Sequence, residues 1–200
     1  MKNNTKKQEI IDAFAKVIER QGIEGASLGA VAQEVGIPQS LIFHYFLNKE
    51  DLLNQLADKV TALCLKSYEK ALPKRGAYTK QSFVYFTEYI LEVHKHRRKS
   101  VSPRLYFSLV YLMPRQKQVM QSFIDLTGRL IDLITGHISR FQQTGVISPP
   151  SPRLAAHTLL CLTDGILCYD ALIPHEERQA FVEQQKQIFF NYVNFKNPCS

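Results

Sequence analysis

The side chains best able to do chemistry crowd between Pro38 and Lys49, where Gln39, Ser40, Leu41, Phe43, His44 and Tyr45 follow in close order. A Gln amide sets a donor beside an acceptor and matches the N6 and N7 edge of adenine. A Leu methyl fits the thymine methyl. Lys6, Lys7 and Lys49 flank this run, where cations would hold backbone phosphates. Enzymatic chemistry finds no comparable support. The chain has no GxSxG, GxGxxG, Walker or HExxH run. His94 and His96 are two residues apart in a basic stretch, and on a helix they would point about 200° apart. Cys161 and Cys168, seven apart, share a helix face and are expected in the core. His137 and His157 read as polar tips of a pocket or as satisfied core histidines. No catalytic residue, metal-ligand set or cofactor is expected.

The elements that must position the first cluster run from Ser27 to Phe46. Ser27 suits a helix N-cap. Leu28, Val31, Ala32 and Val35 recur at helical spacing. Gly36 follows the last of them, where a chain leaving a helix needs positive φ, and Pro38 suits the start of the next helix. Leu41 or Ile42, Tyr45 and Phe46 give a second apolar stripe. Two short helices with a glycine turn are the helix-turn-helix pattern, whose second helix enters the DNA major groove. A helix over 5–22, with Ile10, Ile11, Phe14, Val17 and Ile18 on one face, completes a three-helix unit.

The run GIPQSLIFHYFLNKEDLL resembles the signature of the tetracycline-repressor (TetR/AcrR) family. The similarity is ordered: Gly36, Pro38, Ser40, the aromatic run Phe43-His44-Tyr45-Phe46, then Asn48-Lys49-Glu50-Asp51-Leu52-Leu53. It covers residues 6–56. Phe43 stands where the family commonly has Tyr, Gly29 where a charge is frequent, and Leu41 where Thr or Ser is usual. The resemblance implies an N-terminal DNA-binding domain at 1–48 and a ligand-binding and dimerisation domain at 49–200. It implies a regulator, released from a palindromic operator by a small, largely apolar or aromatic ligand.

Charge alone does not locate the DNA site. The chain carries a net +7, yet residues 1–60 hold seven Lys and Arg against eight Asp and Glu. Residues 61–117 hold twelve against three, so the basic surplus lies outside the helix-turn-helix. Four scattered cysteines with no CxxC pair read as reduced thiols. The N-terminus lacks the apolar stretch of a signal peptide, and no run suits a membrane span. A cytoplasmic protein without a membrane partner is expected.

The rest reads as all helical, about nine helices in total. Asn48 should cap a helix from Lys49 to about Leu72, stopped by Pro73 and Gly76. Helices follow at 78–98, 104–112, 115–143, 152–172 and 176–195. The first of these ends in Lys95-His96-Arg97-Arg98-Lys99, and an antiparallel path would return that basic run toward DNA. Phe83, Phe86, Tyr89, Tyr106, Phe107, Tyr111, Met120 and Phe123 are the expected ligand-binding residues, because buried tyrosines need hydroxyl partners that a pocket's polar tips would supply. The last two helices each carry a second apolar stripe. Leu162, Gly165, Ile166, Tyr169, Phe189 and Tyr192 are the expected homodimer residues, since an uncovered stripe would leave a large exposed patch. Two other readings stand beside this one. The chain is a helical small-molecule binding protein or enzyme with a vestigial helix-turn-helix, or a DNA-binding protein without a ligand.

Overall fold

A computed structural model describes residues 2–73, 77–97, 100–170 and 172–195. Ten α-helices follow in order: α1 (Lys2–Gly25), α2 (Leu28–Val35), α3 (Gln39–Ile42), α4 (Lys49–Glu69) and α5 (Lys80–Leu91), then α6 (Val93–Arg97), α7 (Pro103–Leu112), α8 (Lys117–Gln143), α9 (Pro152–Tyr169) and α10 (Arg178–Tyr192). A single 3-10 turn, His175–Glu177, precedes α10, and no strand occurs among the described residues. The chain divides into two compact units, Met1–Leu63 with Lys99–Leu126, and Cys64–Arg98 with Thr127–Ser200. Both α4 and α8 contain a unit boundary. None of the described helices is long and apolar enough to cross a membrane.

In the first unit, the expected break at Gly22 is present inside α1, with φ 74° and ψ 170°. Only a residue without Cβ takes this conformation cheaply. Ile10, Ile11, Phe14, Val17 and Ile18 form the buried face of α1, each at 2 % exposure or less. The turn before α4 is closed reciprocally: Asp51 N–H donates to Asn48 Oδ1 at 2.8 Å, and Leu47 N–H donates to Asp51 Oδ2 at 2.9 Å. Lys59 of α4 bridges to Asp12 of α1 at 2.6 Å. α7 also seats on α1. Arg104 Nη1 donates to the Glu19 carbonyl at 2.7 Å, and the Ser102 hydroxyl donates to the Glu19 carboxylate.

In the second unit, the expected helix at 78–98 is broken at Glu92 (φ −108°, ψ 19°). No Gly or Pro stands there. The bend instead buries Val93 and His94, at 1 % and 2 % exposure, which a straight continuation of α5 would not require. Of the basic run, Lys95 is paired with Glu92 and His96 stacks on Tyr89 with ring centroids 4.0 Å apart. Arg98 and Lys99 lie outside the described residues, as does the Arg97 side chain. The loop after α8 is tied down by Ser148, whose N–H donates to the Val193 carbonyl at 2.8 Å.

A polar cluster sits beside the aromatic core of this unit. Arg140 Nη1 donates to the Tyr78 hydroxyl at 2.9 Å, and that hydroxyl lies 2.8 Å from His137 Nδ1. Burial pushes the His137 imidazole below its usual pKa, and the neighbouring Arg140 cation pushes it the same way. The unfolded chain therefore binds the His137 proton more tightly than the folded one. This contribution to stability is complete above about pH 6.5 and is lost as the pH falls through that value to the lower folded pKa. We expect melting temperature to drop less between pH 7 and pH 5 in His137→Gln than in the wild type. Parallel pH profiles of the two chains would overturn this.

Candidate nucleic-acid interface

The local chemistry of residues 27–46 is as the spacing requires. The Ser27 hydroxyl accepts from Ala30 N–H at 3.1 Å, and Gly36 closes α2 at φ 72°. Pro38 lies just before α3 with φ −61° and ψ 139°. The second helix is shorter than expected, four residues ending at Ile42. Beyond it His44 N–H reaches Leu41 O at 3.2 Å and Tyr45 N–H reaches Ile42 O at 2.9 Å. These bonds close after three residues instead of four, and they tighten the chain. That turn carries Phe46 inward to 2 % exposure, while Ile42 is wholly buried.

Two anchors behind the helix leave its other side free. Gln39, Ser40 and His44 are exposed, Phe43 is 52 % exposed, and Leu41 and Tyr45 are half-buried. Gln39 lies close to Gly29. Its Oε1 lies 3.3 Å from where a Cβ would stand on Gly29. Any other residue at 29 would press on the Gln39 amide, so this departure from the usual charged residue makes room for it. The sequence alone carried no signal for that pairing, because ten residues separate the two.

The three flanking lysines all have partners within the chain. Lys6 pairs with Glu9 at 2.6 Å, Lys7 lies 5.5 Å from the centre of the Phe46 ring, and Lys49 Nζ donates to the Ile23 carbonyl at 3.3 Å. Each ammonium has three donors, so one intramolecular bond leaves capacity for a phosphate. Lys49 thus also fastens α4 to the end of α1.

Residues 10–56, which include Ser27 to Lys49 but neither Lys6 nor Lys7, match a family model described as bacterial regulatory proteins, tetR family. The matched stretch, about the first quarter of the chain, is similar to the DNA-binding part of that family. A fatty acid metabolism regulator protein of Bacillus subtilis is 24 % identical over 135 residues, 67 % of this chain and 63 % of that one. The regulator BetI of Vibrio vulnificus is 36 % identical over 50 residues, 25 % of each chain. The aligned residues therefore span less than two thirds of either relative. A TetR transcription regulator of Haloarcula marismortui superposes with TM-score 0.76 at 14 % identity, over 96 % of this chain and 97 % of that one. The two chains thus share their fold over nearly their whole length.

The other expected residues fall in separate groups. In the second unit Phe83 and Phe86 share Phe141, with ring centroids 5.0 and 5.7 Å away, and Phe83 also meets Phe189, Phe190 and Phe195. Tyr89 turns instead to Tyr85 and His96. In the first unit Tyr106 touches Phe107 and Phe123, each at 5.7 Å. Tyr111 and Met120 are 50 % and 40 % exposed, with the Arg115 guanidinium over the Tyr111 ring at 4.3 Å. A cavity of about 720 Å³ in the second unit is lined by none of these eight. Its walls are charged, with Glu88, Glu92 and Lys95 facing Arg178, Glu183 and Lys186.

Among the expected dimer residues, Ile166 and Phe189 are buried inside their own unit, at 2 % and 0 %. Leu162, Gly165 and Tyr192 are half-buried, and Tyr169 is 53 % exposed. Both apolar stripes of α9 are largely covered within the chain, because α5 and α10 both pack against it. The face left over is a third one. It carries Cys161 and Cys168, which were expected in the core and are exposed. His157 is exposed too, and of the two candidate polar tips only His137 is half-buried. Among the described residues no group of three His, Cys, Asp or Glu stands close enough to hold a metal ion.

Proposed function

We propose that the chain is a cytoplasmic repressor that binds a palindromic operator as a homodimer and leaves it when a small, largely apolar or aromatic ligand binds. Residues 1–48 form its DNA-binding domain and residues 49–200 its sensor and dimerisation domain. The observation that carries this reading is the exposed side of α3 and of the turn after it, where Gln39, Ser40, Phe43 and His44 stand clear of a backbone locked by Ile42 and Phe46. Gln39, Leu41 and His44 read base edges, and Pro38 sets the angle of the helix. Ser27, Tyr45, Lys6, Lys7 and Lys49 hold phosphates.

The test begins with selection of duplexes from a random library by the wild-type chain. Gln39→Ala should then lose about 1–3 kcal/mol of discrimination at one base pair in each half-site, with the salt dependence of binding unchanged. An unaltered base preference would remove Gln39 from readout.

The ligand acts through α7. Tyr106, Phe107 and Tyr111 lie on α7, with Phe123 and Met120 on the adjoining turns of α8. α7 holds α1 through both the carboxylate and the carbonyl of Glu19. A ligand seated against those rings moves α7 and drags α1, which carries α2 and α3. It shifts the equilibrium only by its differential affinity for the two states. A coupling of about 1–3 kcal/mol lowers operator affinity roughly 5- to 150-fold, and operator DNA weakens ligand binding by the same factor. Calorimetry with an aromatic compound that binds the chain, with and without operator, should show that factor. Equal affinities would disconnect this site from DNA control.

A further inference from the structure

The third face of α9 has properties that neither unit's packing explains. Leu154 is 57 % exposed, and His157, Cys161 and Cys168 are exposed with it, along one band about 60° wide at 100° per residue. Gly165 lies at the edge of the same band. A glycine inside a helix costs about 1 kcal/mol against alanine, and here a Cβ would meet no atom within 4 Å of its own chain. The close approach that Gly165 permits is therefore made by nothing in the chain itself. Asp164 sits at the opposite rim of the band and is exposed.

The two thiols cannot pair with each other. Seven residues along a helix separate their Cα atoms by about 10.5 Å, whereas a disulfide needs roughly 4.4–6.8 Å. Their placement suits a second copy. When two copies of α9 lie antiparallel across a two-fold axis, a residue before the axis faces the residue equally far beyond it on the partner. An axis between Asp164 and Gly165 falls midway between Cys161 and Cys168. It sets Gly165 of each copy against Asp164 of the other at the point of closest approach.

We infer that this face is a redox-sensitive seam between two copies, in which Cys161 of each protomer forms a disulfide with the partner's Cys168. The inference rests on the homodimer proposed above and adds its contact face and its chemistry. The oxidant is a peroxide. One thiolate attacks a peroxide oxygen, the O–O bond breaks, and a sulfenic acid forms as water leaves. The opposing thiolate attacks that sulfur, the S–S bond forms, and the sulfenic oxygen departs as a second water. Two thiols lose two electrons and one hydrogen peroxide is reduced, for each crosslink. Oxidation thereby turns a dissociable dimer into one held at a single spacing.

The experiment uses the full chain with Cys199, which lies outside the described residues, replaced by Ser. Cys64 is buried at 0 % exposure. Stoichiometric hydrogen peroxide at micromolar protein should convert the 23.0 kDa band to twice that mass on a non-reducing gel, and dithiothreitol should reverse it. Cys161→Ser and Cys168→Ser should each abolish the covalent dimer, since every crosslink needs one of each. Mixing the two variants should restore it in about half of the chains, through mixed dimers with one crosslink. A covalent dimer that survives in either single variant overturns the pairing. A reduced chain that sediments as a dimer but never crosslinks overturns the seam and leaves the dimer standing. A reduced chain that sediments as a monomer overturns both.

Discussion

Phe189→Glu should unfold the second unit instead of releasing two folded monomers. Phe189 has no exposed surface and lies 6.3 Å from the Phe83 ring, in a cluster that Phe190 and Phe195 complete. Truncating a buried Phe costs about 3–5 kcal/mol, and an unpaired carboxylate in the same place costs more. Against a total stability of about 5–15 kcal/mol this is most of the margin. For a chain of this size each kcal/mol moves the melting temperature roughly 2–4 °C. The expected result is a fall of roughly 6–20 °C, or the loss of a cooperative melt, followed by circular dichroism. Ile166→Glu should behave alike, at 2 % exposure. Tyr169→Glu, on a side chain 53 % exposed, is the informative comparison, because it leaves the fold intact and any change in sedimentation then reports on assembly. A well-folded Phe189→Glu monomer would show that the ring belongs to the dimer contact and not to the core.

Phe46→Ala should abolish operator binding although the Phe46 ring is buried and does not itself face DNA. A helix of four residues has no stability of its own, since nucleating the first turn is unfavourable. α3 is in place only because Ile42 and Phe46 are sunk at 0 % and 2 % exposure beneath it. Removing the ring leaves a cavity worth about 3–5 kcal/mol, and it also removes the surface under Lys7. A three-helix unit of this size has a stability of the same order. The fraction of chains with a docked α3 should collapse, and apparent affinity falls with that fraction. Anisotropy titration on the selected duplex should show a loss of at least tenfold on every sequence. Gln39→Ala, by contrast, changes which base is preferred. Full affinity in Phe46→Ala would mean that α3 is held by something other than its buried pair.

How much of this is legible in the sequence depends on how local the cause is. Ser27 capping α2, the left-handed Gly36, the break at Gly22 and the cap at Asn48 all rest on bonds or torsions within a few residues. Each could be read from residue type and spacing. The helix-turn-helix is of the same kind, since its two stripes and its turn lie inside twenty residues.

What only the tertiary structure decided is which of several equally apolar faces ends up covered, and which distant groups meet. Both stripes of α9 read as candidates for a partner, yet α5 and α10 take them both. The open face is the one with Cys161 and Cys168, which periodicity alone assigned to the core. Gly29 looks like an accident until Gln39 is seen lying over it, and Glu19 looks like one more solvated charge until α7 closes on it. The bend at Glu92 has no breaker residue to announce it. It follows from burying Val93 and His94, a gain that exists only once the surrounding helices are in place. Periodicity reports how much of a helix must be covered, and long-range packing chooses what covers it.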